Sequence, residues 1–242
     1  MNNLNLKEIN LIYEQETPSE ILQFALEKID LSKIALASSL SIEDQVLTDL
    51  LLKVNPKMRI FFIDTGRHFQ ETYDLMEETM RKYDFHYEVY GPDGKDVEAL
   101  VSEMGPNCFY KSVELRKKCC EIRKVRPLNR VLGTLDAWIC GLRREQSDSR
   151  SSIDVFQWDE SHSLYKINPI ANWSEEDLWT YIKKENVPHS ELYERGFRSI
   201  GCKPCTRAVN QGEDVRSGRW WWESPEKKEC GLHWDLLPEE IQ

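Results

Sequence analysis

Short apolar runs, each followed by a stretch of helical period, constrain this chain more than any other feature. Residues 34–37, 58–63 and 136–140 are too short for buried helices and read as buried strands. Between them, Leu22, Ala25, Leu26 and Ile29 recur at helical spacing, and so do Val46, Leu47, Leu50 and Leu51. Residues 70–83 and 95–104 also read as helices, the second stopped by Gly105-Pro106. Strands alternating with helices predict an α/β fold, with a mainly parallel sheet and helices on both faces. Such sheets bind ligands beyond the carboxyl ends of their strands.

Local signals place further elements. Thr17-Pro18-Ser19-Glu20 marks a helix start, and Ser174, with Asp177 three residues on, starts a helix carrying Leu178, Trp179 and Ile182. Ser41 with Asp44 resembles a capping box. Phe85, Tyr87 and Val89 alternate with polar residues and predict a further strand. Residues 110–131 form a long basic helical stretch with an expected break at Pro127. Residues 153–158 and 164–168 are candidate short strands, and the chain turns irregular after Val187-Pro188. The expected organisation is one α/β domain over 1–222. A charged tail over 223–242 has a composition suited to motion.

Composition narrows the function. No basic start precedes an apolar run, and no stretch of about 18 apolar residues occurs, so a cytosolic protein that does not span a membrane is expected. In that compartment cysteines serve more often as metal ligands or catalysts than as disulfides, and the odd count of seven agrees. A net charge of −10 argues against general nucleic-acid binding. Basic residues nevertheless cluster, at Lys111–Arg130, at Arg143, Arg144 and Arg150, and at Arg207, Arg216 and Arg219. Local basic clusters on an acidic protein point to a small anionic ligand.

Three candidate sites fall at expected strand ends: Ser38-Ser39-Leu40-Ser41, Asp64-Thr65-Gly66-Arg67-His68, and Gly141 to Arg150, which includes Gln146. The serine loop joins a strand to a helix, so backbone N–H groups and the helix dipole favour an anion there. It lacks the Gly-x-x-x-x-Gly-Lys-Ser/Thr pattern of ordinary nucleotide triphosphatases. The loop resembles the modified phosphate loop of the adenine-nucleotide pyrophosphatase superfamily. ATP-cleaving members carry Ser-Gly-Gly-x-Asp-Ser, and the two missing glycines favour another anion, such as sulfate.

Five cysteines stand out. Cys119 and Cys120 are adjacent, Cys202 and Cys205 form a Cys-x-x-Cys, and Cys230 stands alone near the C-terminus. Four thiolates are enough for an iron–sulfur cluster, and the fifth is a candidate nucleophile. Zinc and free buried thiols remain alternatives, although adjacent cysteines fit a zinc knuckle poorly. Cys108 and Cys140 read as small buried apolar residues.

Taken together, Cys119-Cys120 followed by Arg123-Lys124, the later Cys-x-x-Cys, and Glu229-Cys230-Gly231-Leu232-His233 resemble the assimilatory adenylylsulfate reductases of the sulfonucleotide reductase family. Asp64–Arg67, Gly141–Ser147 and Arg216–Trp222 extend the resemblance over most of the chain. It implies a 4Fe–4S cluster on Cys119, Cys120, Cys202 and Cys205. It also implies attack by Cys230 on adenylylsulfate, and thioredoxin as reductant. Adenylylsulfate is the expected substrate, with the 3′-phosphorylated form as the alternative. Arg143, Arg144 and Arg150 are expected around the substrate, joined by Arg216 and Arg219, with Lys124 linking cluster and substrate. More distant alternatives are an ATP-using transferase of the same superfamily and a non-catalytic cluster protein. The oligomeric state stays open, a homo-oligomer included.

Overall fold

The computed structural model describes residues 5–147 and 150–224. Cys230 and the expected tail from residue 225 onward lie outside the described residues. The chain packs as two compact units, each assembled from separate stretches. The first takes residues 1–62, 75–88 and 131–189; the second takes 63–74, 89–130 and 190–242. The stretch that the sequence reads as one α/β domain, 1–222, contributes to both units.

The sheet has six strands in the order β3-β2-β1-β4-β6-β5. They are β1 (Ile34–Ser38), β2 (Arg59–Ile63), β3 (Glu88–Tyr90), β4 (Ala137–Ile139), β5 (Phe156–Asp159) and β6 (Leu164–Ile167). β1 runs parallel to β2 and to β4, and β4 runs parallel to β6. The strand order reverses between β1 and β4. Their carboxyl ends are therefore the switch point at which α/β sheets bind ligands. Every residue of β4 is buried, as expected of a strand covered on both faces.

Helices α1 (Leu6–Tyr13), α2 (Pro18–Lys28), α3 (Ile42–Val54), α4 (Gln70–Tyr83) and α8 (Glu175–Glu185) accompany the sheet. Thr17 and Glu20 close a reciprocal capping box on α2, and Ser174 and Asp177 do the same for α8. α2 buries Ile21, Leu22 and Ala25, and Ile29 is buried at its C-cap, whereas Leu26 is only half-buried. α1 carries no capping signal. Its Asn10 exchanges two 2.8 Å hydrogen bonds with the backbone of Phe156 and so covers an edge of β5.

The second unit contains α5 (Gly94–Met104) and α6 (Val113–Cys120). Its core is a cluster of Leu100, Cys108, Phe109, Cys119, Ile122, Cys205 and Trp220. Among the described residues no helix is long and apolar enough to cross a membrane.

Three local expectations are corrected. The third strand is only Glu88–Tyr90; Phe85 and Tyr87 are buried but precede it and pack ring against ring. Pro127 does not break the basic helical stretch. A π-turn over Glu121–Val125 follows α6, and Pro127 sits in the first turn of α7 (Arg126–Leu132). There a missing N–H costs nothing. Asp44 does not complete a capping box with Ser41: Ser41 caps α3, but the Asp44 carboxylate turns back to Ser39.

Candidate active site

In the first unit the anion loop leaves β1 at Ser38 and enters α3 after Ser41. Leu40 adopts a left-handed backbone with φ of 61°, sparsely populated for a non-glycine residue. The Ser39 N–H and hydroxyl donate to Asp44 Oδ2 at 2.7 and 2.6 Å, and the Leu40 N–H donates to Ser38 Oγ at 3.2 Å. Burial pushes the Asp44 carboxyl up to about 6, against the opposing pull of the Ser39 hydrogen bonds. The N–H and hydroxyl donors of Ser39 are thus taken up by Asp44.

Gly141 follows β4 on the adjacent strand. A Cβ there would stand 2.6 Å from Asp44 Oδ1 and 2.8 Å from Glu43 Cβ. Glycine is needed because the first turn of α3 comes this close. Glu43 Oε1 accepts from Arg143 Nε at 3.3 Å, Arg143 Nη2 at 3.1 Å and Gln146 Nε2 at 3.0 Å. Gln146 Oε1 in turn accepts from Arg150 Nη1 at 2.5 Å. Arg143 also donates to Trp173 O at 3.1 Å. Arg144 turns elsewhere, to Glu14 Oε1 at 2.6 Å, to Ile153 O at 2.8 Å and to Asn172. The arginines at this strand end are thus engaged with protein acceptors, and Arg143 and Arg150 are buried.

In the second unit Cys119 and Cys120 end α6, and Cys202 and Cys205 flank a single 3-10 turn. Cys119 and Cys205 lie in the buried cluster, and Cys202 packs against it. Burial raises the Cys205 thiol, and neighbouring Cys202, Cys120 and Cys119 add to that rise. All four sulfur-bearing residues therefore share one neighbourhood. Burial likewise raises the Cys119 thiol, opposed by Arg123.

The loop after β2 reaches this centre. Thr65 Oγ1 lies 3.2 Å from Cys202 Sγ, Arg123 Nη1 donates to Thr65 O at 2.8 Å, and the Lys203 N–H donates to Arg67 O at 2.8 Å. Gly66 takes φ of 68°, and its N–H donates to Asp64 Oδ1 at 2.8 Å. Burial holds His68 below the usual imidazole range, and the charges of Lys124 and Arg219 act in the same direction. Lys124 itself lies in the π-turn, half-buried.

Among the described residues, no group of three His, Cys, Asp or Glu side chains is arranged to hold a metal ion. Trp220 Nε1, Trp222 Nε1 and Arg123 Nε are buried and find no acceptor among the described residues. Inorganic sulfides would supply such acceptors, so the residues present fit a 4Fe–4S group.

The sequence does not mark Glu43 or Glu223 for a site, and it reads Asp44 only as a capping partner and Arg116 only as one of a basic cluster. Glu43 and Asp44 look like ordinary acids in a first helical turn. Arg116 and Glu223 are 107 residues apart, and no spacing signals that they meet.

A mainly parallel sheet with a serine loop at its switch point, and a unit rich in buried thiols, make up the frame of an α/β protein equipped for sulfur chemistry. The chain belongs to the phosphoadenosine phosphosulfate reductase domain family, which matches residues 33–208. An adenosine 5′-phosphosulfate reductase of Burkholderia cepacia is 48% identical over 83% of this chain and 80% of its own length. One from Allochromatium vinosum is 47% identical over 84% and 80%. A phosphoadenylyl-sulfate reductase from Candida auris, solved as a phosphate complex, superposes with a TM-score of 0.74. It is 25% identical, over 86% of this chain and 99% of that one. Yeast FAD synthetase shares the fold, with a TM-score of 0.57 at 15% identity.

Proposed function

We propose that this protein reduces adenylylsulfate to sulfite and AMP in sulfate assimilation. The observation that carries this reading is the similarity, over four-fifths of each chain, to bacterial enzymes named for that activity.

Cys230 is the nucleophile in this reading. Its thiolate attacks the sulfur of adenylylsulfate. A sulfur–sulfur bond forms, the sulfur–oxygen bond to the phosphate breaks, and AMP leaves with the electron pair. A thiolate of thioredoxin then attacks Cys230 Sγ and releases sulfite, and its second thiol resolves the mixed disulfide. Both electrons thus come from the thioredoxin dithiol.

Substrate contacts are assigned unit by unit. In the first, Ser38, Ser39, Leu40 and Ser41 receive an anionic group, with Gly141, Arg143, Arg144, Gln146 and Arg150 shaping and charging the adjacent strand end. In the second, Asp64, Thr65, Gly66, Arg67, Lys124, Arg216 and Arg219 contribute backbone and cationic contacts. Cys119, Cys120, Cys202 and Cys205 hold a 4Fe–4S cluster. When bound, that group supplies a rigid, charged scaffold for the surrounding residues.

Intact-protein mass after anaerobic incubation with adenylylsulfate, without thioredoxin, tests the reading. Wild type is expected to gain one SO₃ unit, lost on adding reduced thioredoxin, and Cys230→Ser to gain none. No adduct on cluster-loaded wild type overturns the covalent mechanism. Parallel rates with the 3′-phosphorylated substrate decide between the two nucleotides.

A further inference from the structure

Trp220 takes φ of 40°, a left-handed backbone that a bulky residue adopts only when its surroundings impose it. Those surroundings are visible. The Trp220 N–H donates to Cys205 O at 3.1 Å, and Trp220 O accepts from the Glu223 N–H at 2.8 Å. The Arg116 guanidinium lies 4.7 Å from the centre of the indole ring. That guanidinium is itself locked. Glu223 accepts from its Nε at 3.0 Å and its Nη2 at 2.7 Å, with the two side chains 1% and 3% exposed.

The preceding residue is Arg219, whose guanidinium lies 4.7 Å from the same indole. On its other flank stands Gly201, immediately before Cys202. A Cβ on Gly201 would come within 2.5 Å of Arg219 Cζ and 2.8 Å of Nη1. Arg219 thus sits against the Trp220 indole and against Gly201, where any Cβ would push the guanidinium out of this position. Its Nη1 reaches only Ile200 O, at a long 3.4 Å, and its buried Nε finds no acceptor among the described residues.

A buried ion pair such as Arg116–Glu223 is weak evidence for stability, because apolar residues of equal volume often serve as well. Its specific effect is geometric: two parallel hydrogen bonds fix one orientation.

We infer that Arg116, Glu223, Trp220 and Gly201 are positioning residues that aim Arg219 at the anion it binds. The strained Trp220 turn, held by the Arg116–Glu223 pair, sets the direction of the Arg219 side chain, and Gly201 leaves room for it. This rests on the assignment of Arg219 to the substrate. Arg219 is the group that touches the oxyanion; the other four act through it.

A mutant cycle on cluster-loaded enzyme tests the idea, with kcat and KM for adenylylsulfate and iron content read for each protein. The proteins are wild type, Arg219→Ala, the pair variant Arg116→Met/Glu223→Met, and their combination. The pair variant replaces both charges together, so no unpaired charge is left buried. It is expected to lower kcat/KM about tenfold with iron content unchanged. On the Arg219→Ala background the same change is expected to cost less than twofold, as for residues acting through one group. Gly201→Ala is expected to behave as the pair variant does.

Equal losses with and without Arg219 overturn the proposal, as do a pair variant at wild-type activity, loss of iron, or an Arg219→Ala enzyme that works normally. Wild type that fails to reduce adenylylsulfate overturns the activity reading itself, and the proposal with it.

Discussion

The hydroxyl of Thr65 lies 3.2 Å from the sulfur of Cys202, and the carbonyl of the same threonine accepts from Arg123 at 2.8 Å. One residue after β2 is thus tied to both sequence segments that supply cysteines. With Cys202 holding the proposed cluster, a hydrogen bond to its sulfur would steady the ligand and disperse its charge. Thr65→Val keeps the shape and removes the hydroxyl. Iron loss to a chelator is expected to be about tenfold faster than in wild type, given the usual weight of such outer contacts. Iron released against time, read by absorbance, checks it; equal rates would show that Cys202 does not depend on Thr65.

Glu43 gathers the strand end after β4. Its Oε1 holds Arg143 and Gln146, and the Arg143 side chain is only 6% exposed. Glu43→Ala leaves that guanidinium with the Trp173 carbonyl and the exposed Glu145. Removing one member of a buried pair costs about 3–5 kcal/mol. Urea unfolding of the variant is expected to show a loss toward the lower end, because Glu145 partly compensates. Glu43→Gln keeps an acceptor oxygen and should recover part of the loss.

Much of this architecture is legible from local chemistry, because local rules governed it. Ser174 and Asp177 announce α8 and form its capping box, and the apolar runs at 34–37 and 136–140 become β1 and β4. Where distant packing decides, local signals fail. Phe85 and Tyr87 alternate like strand residues, yet their rings pack on each other ahead of the strand. Pro127 looks like a breaker until the π-turn moves it into a fresh first turn. The pair of segments at 153–158 and 164–168 proves to be an antiparallel hairpin, β5–β6, at one end of a mainly parallel sheet. At the site, residue types were readable but partners were not. Arg144 is drawn to Glu14, 130 residues away, and the Asp44 carboxylate to Ser39 rather than to a capping box with Ser41.

Gly141 is a sharper test of the switch point than any charge. A methyl group there would overlap Asp44 Oδ1 and Glu43 Cβ, at 2.6 and 2.8 Å. Overpacking of this kind costs about 1–3 kcal/mol. Because the displaced atom belongs to the carboxylate that holds Ser39, the anion loop should open with it. Gly141→Ala is therefore expected to lose both thermal stability and AMP affinity. Calorimetry of each decides, and a variant with normal affinity would mean that the loop does not depend on Asp44.

Asp44 itself makes stability depend on pH in an unusual direction. Burial raises its carboxyl from an ordinary 3.8 to about 6 in the folded protein. Between about pH 4 and pH 6 the folded form keeps this proton and the unfolded chain has lost it. Its contribution is thus fully present below pH 4 and is lost as pH rises through 6. A shift of this size corresponds to about 3 kcal/mol. Asp44→Asn removes the titration while keeping an acceptor oxygen for Ser39. The difference in unfolding free energy between variant and wild type should therefore move in favour of the variant by about that amount from pH 4 to pH 7. Urea titrations at the two pH values measure it, and carbon-13 shifts of the Asp44 carboxyl should show a midpoint near 6. If variant and wild type change in parallel, the buried carboxyl is ionised throughout, and the Ser39 hydrogen bonds outweigh its desolvation.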